Sequence, residues 1–156
     1  MKSDGLRFNC GFLGCLERVA AAPAVLSQAS EAARAGESSL LLERLADQPS
    51  LSIEDPARAA SEGDEVANRT LLDAGGHLAV MLSGLVNVLN PPRILVGGAF
   101  TRFGPLLLVS IRQGVDGRSL PLMSRRLEIE DIRDDEAELH GALVLGVLDW
   151  LEDTVR

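Results

Sequence analysis

The side chains best suited to chemistry lie near the start of the chain, where two thiols and a carboxylate, Cys10, Cys15 and Glu17, are set among Gly5, Gly11 and Gly14. Thiolates bind soft metal ions, and structural zinc takes four ligands in a tetrahedron. Cys10 and Cys15 supply half that set. His77 and His140 fall in stretches that read as helices far along the chain, where a lone histidine is most simply an ordinary side chain. Zinc is therefore open only with an incomplete ligand set, the alternative being two buried thiols in a glycine-rich turn. Two cysteines this close do not make a disulfide framework, which fits a reducing, cytoplasmic location. A second glycine cluster, Gly97-Gly98, closes an apolar run. Glycine there lets the backbone turn tightly or lie close to a ligand.

The elements that must position these residues follow from apolar spacing and from breakers. The chain turns helical at Leu16 and runs to about Gln28, with Pro23 marking a helix end or a new start. Leu40, Leu41, Leu42 and Leu45 predict a helix over Ser38–Ala46. Asp55-Pro56 is a helix-start signal, Asp accepting from free N–H groups and Pro losing nothing at the first helical position. Asp64 then caps a long helix from Glu65 to about Leu89, stopped by Asn90-Pro91-Pro92. Its second half is apolar nearly all round and so reads as buried on most of its surface. Arg93 to Gly98 reads as a buried parallel strand ending in a tight turn. A helix from Pro105 to near Gly114 follows, then the alternating strand Leu127-Glu128-Ile129-Glu130, then a helix opened by Asp135 and running through Trp150. A right-handed crossover pairs the strands in parallel. No linker divides residues 1–156, which read as one domain, yet two strands are too few for an independent sheet.

Composition sets the outer bounds. With 156 residues, 46% of them hydrophobic and only 3% aromatic, the core must be built from Leu, Val, Ile and Ala. A net charge of −8 gives no attraction to phosphate backbones, and the one basic pair, Arg125-Arg126, is followed at once by Glu128, Glu130 and Asp131. Direct nucleic-acid binding by this chain is not expected. The longest apolar stretch, Leu78 to Leu89, is interrupted by Ser83, Gly84 and Asn87, the length of a buried helix and short of a membrane span.

From Cys10 to Glu17 the segment Cys-Gly-Phe-Leu-Gly-Cys-Leu-Glu resembles the signature of the ROK family (repressor, open reading frame, sugar kinase), with Asp4-Gly5 at the usual distance before it. Leu85-Val86-Asn87-Val88-Leu89-Asn90-Pro91, then Ile94-Leu95-Val96-Gly97-Gly98, then His140-Gly141-Ala142 continue the resemblance in order along nearly the whole chain. The resemblance implies an α/β fold: a partial ribonuclease-H-like (actin/hexokinase-type) C-terminal domain, mostly helical with a short parallel sheet. It also implies a sugar-contacting role for Glu17, whose carboxylate can accept from two adjacent hydroxyls, against the plain alternative of a favourable charge at a helix start. It places Gly97-Gly98 beside the adenosine of a nucleotide in kinase-like members. Family zinc would need a cysteine where this chain has Phe8, leaving Cys10 and Cys15.

The Gly-rich phosphate turn and catalytic Asp of the family's kinases have no counterpart here, so no catalysis is expected. The stretches Ala59–Asp64 and Ser119–Leu122 resemble the family's regulators. The reading is the sugar-sensing and dimer-forming portion of a transcriptional regulator, cytoplasmic, homodimeric, without a membrane segment, taking a sugar or sugar phosphate. The alternatives are the C-terminal half of a glucokinase-like sugar kinase, or a truncated remnant.

Overall fold

The computed structural model describes residues 14–132 and 137–155; Phe8, Cys10 and the helix start assigned to Asp135 lie outside them. The elements run α1 (Leu16–Ala20), α2 (Ala22–Arg34), α3 (Ser39–Asp47), α4 (Glu54–Ser61), α5 (Glu65–Leu89), β1 (Arg93–Val96), a 3-10 turn (Gly98–Phe103), α6 (Pro105–Asp116), α7 (Pro121–Ser124), β2 (Glu128–Asp131) and α8 (Ala137–Val155). Pro23 marks a new start: α1 ends at Ala20, Ala21 is extended, and proline occupies the first turn of α2, where its missing N–H has no partner to lose. The 3-10 turn and α7 were not visible in the residue pattern, because short turns carry too few apolar positions to show a period.

Two helix starts are tied together. The Ser38 hydroxyl accepts from the Leu41 N–H at 3.1 Å, and the Asp64 carboxylate accepts from the Ala67 N–H at 2.8 Å. Ser38 in turn donates its hydroxyl hydrogen to Asp64, so α3 and α5 share one capping pair. At the far end of α5, Asn90 is left-handed (φ 47°), the conformation asparagine tolerates best after glycine, and Pro91 prevents continuation.

Asp55 does not cap α4 as expected. The helix begins two residues earlier, at Glu54, and the carboxylate, 5% exposed, reaches back to the Ser52 N–H at 2.7 Å, the Ser52 hydroxyl at 2.8 Å and the Gln48 amide at 2.7 Å. Burial alone would raise its pKa, but those hydrogen bonds and the nearby Arg58 charge outweigh it and hold the carboxyl below the ordinary carboxylate range. A depressed folded-state pKa contributes stability above the unfolded value of about 4 and loses it as pH falls through the folded value. Thermal denaturation between pH 5 and pH 2 should therefore fall more steeply for the wild type than for Asp55→Asn, which cannot be protonated.

The core is the crossing of α5 with α6. Leu71, Ala74, Ala79 and Val86 of α5 meet Leu107, Ile111 and Val115 of α6, with Phe103 alongside. The helices approach closely because each offers a small residue to the other. A Cβ on Gly75 would lie 2.5 Å from that of Ser110, and one on Gly114 would lie 2.5 Å from that of Ala79. The Ser110 hydroxyl donates to the Leu72 carbonyl at 2.7 Å across the same contact. A second cluster joins Ala29 and Ala33 of α2 to Leu41, Ala59, Val66 and Ala67.

The strands pair in parallel, with Arg93 opposite Glu128 and Ile94 opposite Ile129, and the Arg112 guanidinium of α6 donates to the Ile129 carbonyl at 2.8 Å. In β2 the expected alternation holds, Ile129 buried between exposed Glu128 and Glu130. For β1 the expectation of a buried strand is corrected: Leu95 is 51% exposed and only Ile94 and Val96 turn inward, because the described residues place helices on one face of the sheet alone. The expected envelopment of α5 is corrected likewise. Its second half leaves Val80, Met81, Leu85, Val88 and Leu89 exposed. By length and composition α5 is also apolar enough to cross a membrane, with a mean hydropathy of 1.4 over 18 residues, which the interruptions at Ser83, Gly84 and Asn87 had concealed. Here it is the central core helix, packed by α1, α2, α4 and α6. α8 carries an apolar stretch, Leu139–Leu151, that is exposed throughout.

Candidate functional site

Glu17 lies in the first turn of α1, exposed, with extended Cys15 as the preceding residue and no side chain capping the helix. Five residues do not hold a helix by themselves. α1 is instead held by its packing on α5 and α2, with Ala20 fully buried, and the Gln28 amide of α2 donates to the Val19 carbonyl at 3.4 Å. The carboxylate of Glu17 thus projects into solvent from a turn whose position the core sets. That arrangement suits both a hydroxyl-accepting contact and a charge favourable to the helix start.

Gly97 and Gly98 sit at the end of β1, both exposed. They differ in kind. Gly98 has φ 68°, which a side chain would strain, and its carbonyl accepts from the Thr101 hydroxyl at 3.0 Å, so glycine there answers to the 3-10 turn. Gly97 is extended (φ −126°, ψ −176°), and nothing lies within 4 Å of where its Cβ would be. The turn packs chiefly on α4 and α6, whereas α1 packs on α5 and α2.

For metal, Cys15 is half-buried, His77 and His140 are exposed on α5 and α8, and among the described residues no three His, Cys, Asp or Glu side chains converge. With phenylalanine at position 8, Cys10 and Cys15 supply two of the four donors that a structural zinc takes. Residue reading also missed a polar cleft between α3 and α4, lined by Glu43, Arg44, Asp55, Arg58 and Glu62. Ser52 three residues before Asp55 was its available signal. Its one buried carboxylate takes three hydrogen bonds on Oδ2, from Ser52 and Gln48, which makes it a brace between elements.

A parallel strand pair, a long core helix, a glycine-ended strand and a glutamate opening the first helix are the parts of an actin/hexokinase-type, ribonuclease-H-like domain. The chain belongs to the ROK family, whose sequence profile matches residues 1–150. It is similar to the DNA-binding transcriptional repressor Mlc of Escherichia coli K12, 28% identical over 142 residues that make up 90% of this chain and 34% of the repressor. Among solved structures it is similar to a ROK family transcriptional regulator described as a homolog of the E. coli Mlc protein, with 33% identity, a TM-score of 0.74, and 84% of this chain and 32% of that one covered. It is also similar to a ROK family glucokinase from Streptomyces griseus solved with glucose and AMPPNP, with 25% identity, a TM-score of 0.80, and 93% and 48% coverage. The chain spans about a third of the length of the curated relatives it matches.

Proposed function

We propose that this chain is the sugar-sensing and dimer-forming portion of a ROK-type transcriptional regulator acting in the cytoplasm. The supporting observation is its likeness to the repressor Mlc along 90% of its own length. Glu17, exposed and held by the core, is the residue to which a sugar or sugar phosphate would present two adjacent hydroxyls. A chain at −8 does not itself grip DNA, so ligand occupancy would act on a DNA-binding portion through packing and assembly. The second reading, part of a sugar kinase, draws on the likeness to the glucokinase. In that reading Gly97 and Gly98 would lie against the nucleotide. These residues hold neither a phosphate-cradling turn nor a catalytic carboxylate, so the chain alone is not expected to transfer a phosphoryl group.

Titration calorimetry with common hexoses and their phosphates should give binding heat. Glu17→Ala should weaken binding at least tenfold, since a hydrogen bond to a charged group contributes about 1.5–3 kcal/mol. No heat with any of these sugars overturns the sensing reading, and turnover in a coupled ADP assay overturns the regulator in favour of the kinase.

A further inference from the structure

We propose that Gln28 is the positioning residue for Glu17: its side-chain amide replaces a helical donor that Pro23 removes, and so fixes the direction in which the Glu17 carboxylate meets a ligand. This deepens the sugar-sensing reading above and rests on it. Val19 stands two residues after Glu17 in the same turn of α1. In a continuing helix its carbonyl would accept from the N–H of the fourth residue on. That residue is Pro23, which has no N–H, and α1 has already ended at Ala20. The half-buried Val19 carbonyl accepts instead from the Gln28 amide at 3.4 Å.

The direction of α1 needs such a tie because the helix is short and its joint is a single residue. α1 and α2 are connected by Ala21 alone, extended at φ −65° and ψ 153°. Ala20, fully buried, holds α1 against the core, with α5 and α2 as its neighbours. A methyl group makes no directional bond, so its burial fixes how closely α1 lies and leaves its roll open. The Ala21 N–H donates to the Glu17 carbonyl at 3.3 Å, but that bond lies within the turn and moves with it. Gln28 is nine positions from Val19, on a helix anchored by buried Ala24, Val25, Ala29 and Ala33. It ties the turn across the joint to a fixed element.

At 3.4 Å from an exposed side chain the bond is long and water competes for it, so it adds little to global stability. Orientation is the more sensitive quantity. A carboxylate that accepts from two adjacent hydroxyls must be held to within about 0.5 Å and 10–20°. Loss of the tie therefore shows in affinity before it shows in melting.

Calorimetric titration of the full chain with common hexoses and their phosphates, glucose and glucose 6-phosphate first, tests this. Gln28→Met keeps the side chain's length and removes the donor. It should weaken sugar binding about three- to tenfold, the range of one ordinary hydrogen bond, with the melting temperature unchanged. In the Glu17→Ala background the same substitution should cost nothing further. Without any sugar, amide exchange over 17–21 should accelerate in Gln28→Met while exchange in α5 stays as it was. Wild-type heat that Gln28→Met leaves intact overturns the positioning role and spares sugar sensing. A loss that recurs in full without Glu17 makes Gln28 a separate contact and overturns it too. So does unchanged exchange over 17–21, or a melting temperature that falls along with affinity. No wild-type heat with any of these sugars removes both readings.

Discussion

Phe103→Ala is expected to lower stability by about 3–5 kcal/mol, the usual range for emptying a large aromatic site in a core. In a chain of this length that corresponds to a drop in melting temperature on the order of 10 °C. Phe103 is 1% exposed and among the largest fully buried side chains, packed with Leu71 and Leu107, its ring 6.4 Å from that of Phe100. Few aromatics compete for its place, since the sequence has four Phe, one Trp and no Tyr. Its position gives the substitution a local signature as well. It is the last residue of the 3-10 turn that begins at Gly98, so it is the anchor by which that turn, and Gly97 before it, are fastened to the core. Amide exchange across 98–103 should accelerate more than exchange in α5, and Phe103→Leu should recover most of both effects. Uniform acceleration across the chain would show that the side chain supports the core without anchoring the turn.

Gly75→Val should cost about 3 kcal/mol or more, whereas Gly76→Ala one position along should be neutral or slightly stabilising. At Gly75 the first added carbon alone meets Ser110 Cβ at 2.5 Å, its hydroxyl at 2.6 Å and the Leu107 carbonyl at 3.0 Å. None of these can retreat freely, because Leu107 is backbone and the Ser110 hydroxyl is committed to Leu72. The helices must separate, and overpacking of this kind costs about 1–3 kcal/mol before the lost hydrogen bond is counted. At Gly76 nothing lies within 4 Å, so alanine there brings only its helix preference, worth up to about 1 kcal/mol. Urea denaturation of the two variants side by side checks the contrast. Equal midpoints would mean that α5 and α6 are not in close contact at Gly75.

The residues carried a good deal of this by themselves. Helix starts at Ser38 and Asp64, the restart at Pro23, the stop at Asn90-Pro91 and the alternation at Ile129 are local events. Each is governed by hydrogen bonds or steric clashes within a few residues, so spacing alone reveals them. Family membership was legible for a similar reason, since Cys10 to Glu17 and Gly97-Gly98 are short runs whose residue types and order are distinctive. Only the tertiary structure could decide which faces are covered. A helix apolar all round reads as buried, yet on α5 the covered half is the one that faces α6, and Val88 stands in solvent. Asp55 looked like a cap from its neighbours and proved to be a buried acceptor, because Gln48 and Ser52 are brought to it by the turn between α3 and α4. Gly75 and Gly76 are the same residue type side by side in one helix. What separates them is Ser110, 35 positions away, and no local pattern records a contact made by folding.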